Sequence, residues 1–190
     1  MINDSRTPRA SRLYAPTLML SAAAVLLLAL VVPAGAEPGN DNRAPELGDC
    51  EELQVPAGHK VAFHAYAEGV QIWRWDGTSW VFVAPEAVLY ANVEGHGVVG
   101  IHYAGPTWES NSGSKVIGTV LERCTVDPDA IPWLKLAAVS TDGPGIFRGV
   151  TFIQRVNTVG GIAPSDPGDY VGDEARVPYA ADYFFYRARH

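Results

Sequence analysis

The sequence predicts an all-β fold, a single antiparallel domain, and three observations carry that prediction. Apolar runs with period two, or short continuous ones, recur between glycines and prolines. From about Cys50 to Arg187 no apolar pattern at helical spacing extends beyond about ten residues. The 19 glycines and 14 prolines supply turn residues too often for a bundle of long helices. Strands at such regular spacing suit a β-sandwich or a closed barrel, with the sandwich as the expected form. A chain of 190 residues with 47% hydrophobic and 18% charged residues buries one core, which excludes a disordered acidic tail, a collagen-like fibre and a disulfide-dense miniprotein.

The N-terminus reads as a targeting segment. Arg6, Arg9 and Arg12 precede an apolar run from Thr17 to Val32, and Pro33 leads into Ala34, Gly35 and Ala36. This is the layout of a secretory signal peptide over residues 1–36, cleaved between Ala36 and Glu37. The apolar run is shorter than the roughly 20 residues that span a bilayer; an uncleaved anchor is the alternative. Cleavage removes three arginines and Asp4, which moves the net charge from −7 to −9. Residues 37–49, rich in Pro, Asn, Asp and Gly, read as a flexible leader, and residues 50–190 as the all-β domain.

The strands follow in order. Val61, Phe63, Ala65 and Ala67 alternate with Lys60, Ala62, His64 and Tyr66, which turns one apolar face inward and leaves His64 on the mixed face. Residues 70–75 and 78–83 flank Asp76 and Gly77, a dipeptide that accepts the positive φ angles of a two-residue type I′ turn. That turn sets Trp73 opposite Trp80; a four-residue loop sets Trp75 opposite Trp80. Either register gathers Gln71, Trp73, Trp75, Trp80 and Phe82 on one face. Further strands are expected over 98–104, 115–122, 133–141, 146–158 and 179–187.

Export favours a bridge between Cys50 and Cys124, the only two cysteines, with two buried free thiols as the alternative. A bridge closing this loop would constrain the unfolded chain by roughly 4 kcal/mol.

Few residue patterns announce chemistry. Gly95, Gly97 and Gly100 match the G-x-G-x-x-G spacing, but Gly105 and Pro106 follow too soon for the helix that a phosphate site needs, so the glycines are assigned to a turn and a strand start. His59, His64, His96 and His102 lack metal-ligand spacing, and no metal or cofactor is expected. An acidic pI near 5.1 argues against nucleic acid. No stable membrane span is expected after signal cleavage. His102 and Glu109 form the best acid-base pair, provided that Gly105 and Pro106 turn the chain back to join them. Arg155 and Asn157 end an apolar strand before a glycine pair, a place where site rims form; Arg155 either reads an anion or pairs with Asp182.

The motifs G-V-Q-I-W at 69–73, P-E-A at 85–87, H-Y-A-G-P-T-W-E at 102–109, A-I-P-W-L at 130–134, Q-R-V-N-T-V-G-G at 154–161 and Y-A-A-D-Y-F-F-Y at 179–186 together resemble the domain-of-unknown-function family 3455. The resemblance covers most of the chain from about Leu53 to Arg187. It implies an exported or envelope-associated protein of bacteria or fungi, with no established activity and no catalytic residues to carry over. Relatives have cysteines in the first hairpin and after the glycine pair, where this chain has Trp75 and residues 165–169.

The functional expectation is a secreted or cell-envelope binding module for a small ligand or glycan, with Tyr103, Trp108, Glu109, Arg155 and Asn157 as contacts. Trp108 is the central choice, because it follows Gly105 and Pro106 in a turn; its alternative role is to plug one end of the domain. A hydrolase or metal-assisted enzyme using His102 and Glu109 is the second reading, and a structural envelope protein the third.

Overall fold

The computed structural model describes residues 44–189; the signal-peptide segment lies outside the described residues. Eight strands, β1 (His59–Trp75), β2 (Trp80–Tyr90), β3 (Val98–Tyr103), β4 (Thr107–Ser110), β5 (Lys115–Cys124), β6 (Trp133–Asp142), β7 (Phe152–Gly160) and β8 (Glu174–Ala188), follow a short 3₁₀ turn at Glu51–Leu53. Each strand pairs antiparallel with the next, and β8 pairs back onto β1. The all-β prediction holds, and the form is a closed up-and-down barrel rather than the expected sandwich.

The reason lies in β1 and β8. Their ladder runs from His59 opposite Ala188 to Arg74 opposite Glu174, while the upper half of β1 also pairs with β2. One long, bulged strand therefore joins both margins of the sheet, and no edge is left over. Residues 60–67 and 70–75 belong to this single strand. Gly69 lets it pass β2 closely: a Cβ there would lie 2.1 Å from the Glu86 carbonyl oxygen.

Three local expectations are corrected. The first hairpin has a four-residue loop, with Trp75 opposite Trp80, in place of the type I′ turn. The Asp76 carboxylate accepts the N–H groups of Thr78 and Ser79, both at 2.8 Å, and this side-chain closure sets the longer loop. Residues 104–106 turn directly into β4, a strand too short to show alternation in the sequence. The run 146–158 is not all strand: β7 begins at Phe152, and the preceding loop inserts Phe147 into the barrel.

The interior is filled mainly at one end. Phe147 is buried against Phe63 and Phe185, and its N–H donates to Ser114 Oγ, so the loop before β7 closes that end. A second cluster lies outside the wall. Leu47, Val55, Val61, Val156, Phe184 and Tyr186 pack together where the N-terminal segment crosses the outer faces of β1, β7 and β8. Gln154 anchors that segment by donating to the Leu53 carbonyl at 2.7 Å. Cys50 and Cys124 form a disulfide. Among the described residues no helix is long and apolar enough to cross a membrane.

Candidate functional site: a cavity at the hairpin end of the barrel

The four connections β1–β2, β3–β4, β5–β6 and β7–β8 all turn at one end of the barrel, the end opposite Phe147. A cavity of about 450 Å³ opens there, within the size range of small-molecule sites. An eight-stranded barrel is wide enough to be filled by side chains or to hold one small ligand. Here the far half is filled and the near half is not.

Period-two alternation selects the lining. His102 and Trp108 are directly opposed on β3 and β4, and both point inward. Their rings stack at 4.4 Å and 6°, and Tyr183 of β8 meets Trp108 edge-on at 5.4 Å. Gly118 of β5 makes room for this stack; a Cβ there would lie 3.2 Å from the Trp108 ring. Trp108 is 1% exposed, so the expectation that a turn would leave it few neighbours fails: it lies within a strand and faces the core.

His102 donates Nδ1–H to the Thr107 carbonyl at 2.8 Å, which leaves the acceptor lone pair of the neutral ring on Nε2. Burial brings the imidazole pKa down to about 3, and the Arg155 charge acts in the same direction, against the opposing pull of the Thr107 bond. The ring is neutral at ordinary pH.

Arg155 enters from β7, opposite Leu134 and Tyr183, and is 9% exposed. Its Nε and Nη2 both donate to the Pro132 carbonyl, at 3.2 and 2.7 Å. The alternative pairing with Asp182 does not form, because Asp182 lies on the outer face, where it accepts Asn157 Nδ2 at 2.7 Å. Three polar atoms on the cavity wall are buried without a well-formed hydrogen bond: Trp108 Nε1, which has no partner, and Gln71 Nε2 and the Tyr183 hydroxyl, which lie near the Tyr179 hydroxyl and, for Tyr183, near Arg155. Burial pushes the Tyr183 hydroxyl pKa up, against the pull of the Arg155 charge.

The residues singled out in the sequence thus separate into two groups. Trp108, Arg155 and His102 meet around the cavity. Tyr103, Glu109 and Asn157 lie on the outer wall. Glu109 accepts the Tyr103 hydroxyl at 2.9 Å and pairs with Lys115 at 3.2 Å, and these two contacts hold its carboxyl below the usual range. His102 and Glu109 are therefore not joined: β4 runs back antiparallel beside β3, so adjacent positions on it face opposite sides of the wall. Asn157 sits at φ +50° beside a register shift in β7, which turns it outward toward Asp182.

Sequence reasoning placed Gln71 and Trp73 on a common face without assigning them to a site, and it passed over Tyr183. The signal for Gln71 was a lone amide on an otherwise aromatic face. For Tyr183 it was the alternation Tyr179, Ala181, Tyr183, Phe185, all buried.

A model of the family described as "Protein of unknown function (DUF3455)" matches residues 56–187. The chain belongs to that family. No curated protein and no solved structure matches it. The matched DUF3455 region runs from before β1 into the end of β8 and includes every residue that lines the cavity.

Proposed function

We propose that this DUF3455 domain is a non-catalytic binding module that holds one small molecule inside the hairpin end of its barrel. One observation carries the reading: the open half of the barrel is lined by apolar rings and chains around a few buried polar atoms, of which Trp108 Nε1 has no protein partner, while Gln71 Nε2 and Tyr183 Oη have only the Tyr179 hydroxyl and Arg155 nearby, without a well-formed hydrogen bond. Buried polar groups are normally hydrogen-bonded, and convergent unpaired ones in a pocket mark where a ligand supplies the missing contacts. Binding is favoured over turnover because the nominated acid and base stand on opposite sides of the wall. A cavity of this size, closed at its far end by Phe147, also suits a small molecule better than a glycan chain. The same reading places the protein outside the cytoplasm, supported by the arginine-led apolar N-terminus and by a disulfide.

Thermal unfolding of the purified protein against a small-molecule panel, with tryptophan fluorescence as a second readout, tests this. A ligand of the native state raises the melting point. Val120→Trp, which fills the cavity from β5, should abolish that response while the barrel still unfolds cooperatively. A ligand that stabilises Val120→Trp as much as the unmodified protein would sink the proposal.

A further inference from the structure

Donors outnumber acceptors among the polar groups of the cavity that lack a well-formed hydrogen bond, and this points to the chemistry of the ligand. We propose that the site takes a small organic acid, with its carboxylate on Arg155 and its apolar body along Trp73, Trp108 and Leu134. This inference rests on reading the cavity as a ligand site.

Arg155 supplies the first reason. A buried guanidinium is normally paired, because an uncompensated charge in a low-dielectric interior is costly. No described carboxylate forms an ion pair with Arg155, and its protein acceptor is the neutral Pro132 carbonyl. That carbonyl occupies the Nε/Nη2 edge. Nη1 makes no well-formed hydrogen bond to the protein, although the Tyr183 hydroxyl lies near the guanidinium, and the two parallel N–H groups of the Nη1/Nη2 edge match the two oxygens of a carboxylate.

The second reason is the sign of everything else in the pocket. Gln71 Nε2 and Trp108 Nε1 are donors, and the Tyr183 hydroxyl is able to donate. A ligand rich in acceptor oxygens satisfies them, whereas an ammonium group would set donor against donor. His102 is neutral, adds no charge, and contributes one acceptor, Nε2, beside these donors.

Charge distribution supplies the third. The chain carries 21 acidic and 14 basic residues, yet the cavity wall contains Arg123 and Arg155 and neither an aspartate nor a glutamate. An acidic protein that keeps its carboxylates away from one pocket presents there a field suited to an anion. A single buried cation suits a monoanionic carboxylate better than a dianionic phosphate monoester, which calls for more than one.

Octanoate, octanamide and octylamine share a tail and differ in head charge, so they separate the two ideas. Each is titrated into the purified protein, with affinity read from tryptophan fluorescence and calorimetry. Octanoate should bind at least about tenfold more tightly than octanamide, as expected for hydrogen bonds to a charged group, and octylamine most weakly. In Arg155→Gln the preference of octanoate over octanamide should vanish while octanamide still binds. Arg155→Lys, which keeps the charge without the fork, should retain part of it. Circular dichroism and melting of both variants establish that they fold, and the comparison of the three compounds on the unmodified protein needs no variant. Equal affinity for octanoate and octanamide, or a preference that survives Arg155→Gln, overturns the acid assignment and leaves the cavity reading standing. Failure of all three to bind overturns the acid assignment, while the cavity reading stands or falls on the small-molecule panel with Val120→Trp.

Discussion

Burial of one imidazole against Trp108 and Tyr183 gives the protein a predictable acid response. His102 has a folded-state pKa of about 3 against an ordinary value of 6.5, so between these pH values the unfolded chain binds a proton that the folded chain refuses. Its contribution to stability is therefore intact above pH 6.5 and is lost progressively as pH falls toward 3, at up to about 1.4 kcal/mol per pH unit. Denaturant unfolding between pH 7 and 4 should show that slope reduced in His102→Asn; an identical slope in both proteins would refute the assignment. The neighbouring pair Trp108 and Glu109 tests the inward and outward faces of β4. Trp108→Ala empties the barrel interior and should cost about 3–5 kcal/mol, whereas Glu109→Ala removes an outer-wall contact and should leave the midpoint nearly unchanged. A loss under about 1 kcal/mol for Trp108→Ala would mean that the ring is not a core residue. Trp108 was chosen from the sequence as a turn residue because four residues are too few to reveal alternation.

At the scale of elements, β1 does the most to define the molecule, and Gly69 is its narrowest point. A methyl group there would overlap the Glu86 carbonyl oxygen and the Ala87 Cα, both backbone atoms that cannot rotate away. Gly69→Ala should therefore destabilise by about 3 kcal/mol or more and separate β1 from β2, seen as a lower melting point and faster amide exchange in both strands. Normal stability in that variant would contradict the close crossing. The first hairpin shows what local signals decide and what they leave open. Its aromatic face was legible from spacing alone, since Trp73, Trp75, Trp80 and Phe82 share a face in either register. The register itself depended on whether the Asp76 side chain or the backbone closed the turn. Two indole N–H groups from this face then bond carbonyls of the β7–β8 connection, Trp73 to Gly161 and Trp80 to Asp166, contacts across 86 or more residues of chain that no local pattern encodes.

For the whole molecule, the Cys50–Cys124 disulfide joins the segment ahead of β1 to the last residue of β5, at the cavity end. The bridge spans 74 residues and should contribute about 4 kcal/mol through the unfolded state. Unfolding with and without reductant measures this directly, with Cys50→Ala/Cys124→Ala as the control. An unchanged midpoint after reduction would remove the bridge from the account of stability. The N-terminal crossing that buries Val156 and Phe184 from outside should loosen along with it, so the second cluster is expected to gain amide exchange before the barrel interior does.

Composition and period-two patterning by themselves determined an all-β antiparallel domain, because alternation and turn chemistry are local properties that each strand carries in its own residues. The pairing of Cys50 with Cys124 was readable for a similar reason: a chain with two cysteines allows one intramolecular bridge. Closure into a barrel was decided only by tertiary structure, since it depends on β1 and β8 pairing across more than a hundred residues of chain. The site followed from closure. Trp108, Arg155 and His102 were each visible as candidates, but inward and outward are defined only once the sheet has closed, and that closure moved Tyr103, Glu109 and Asn157 to the other side of the wall.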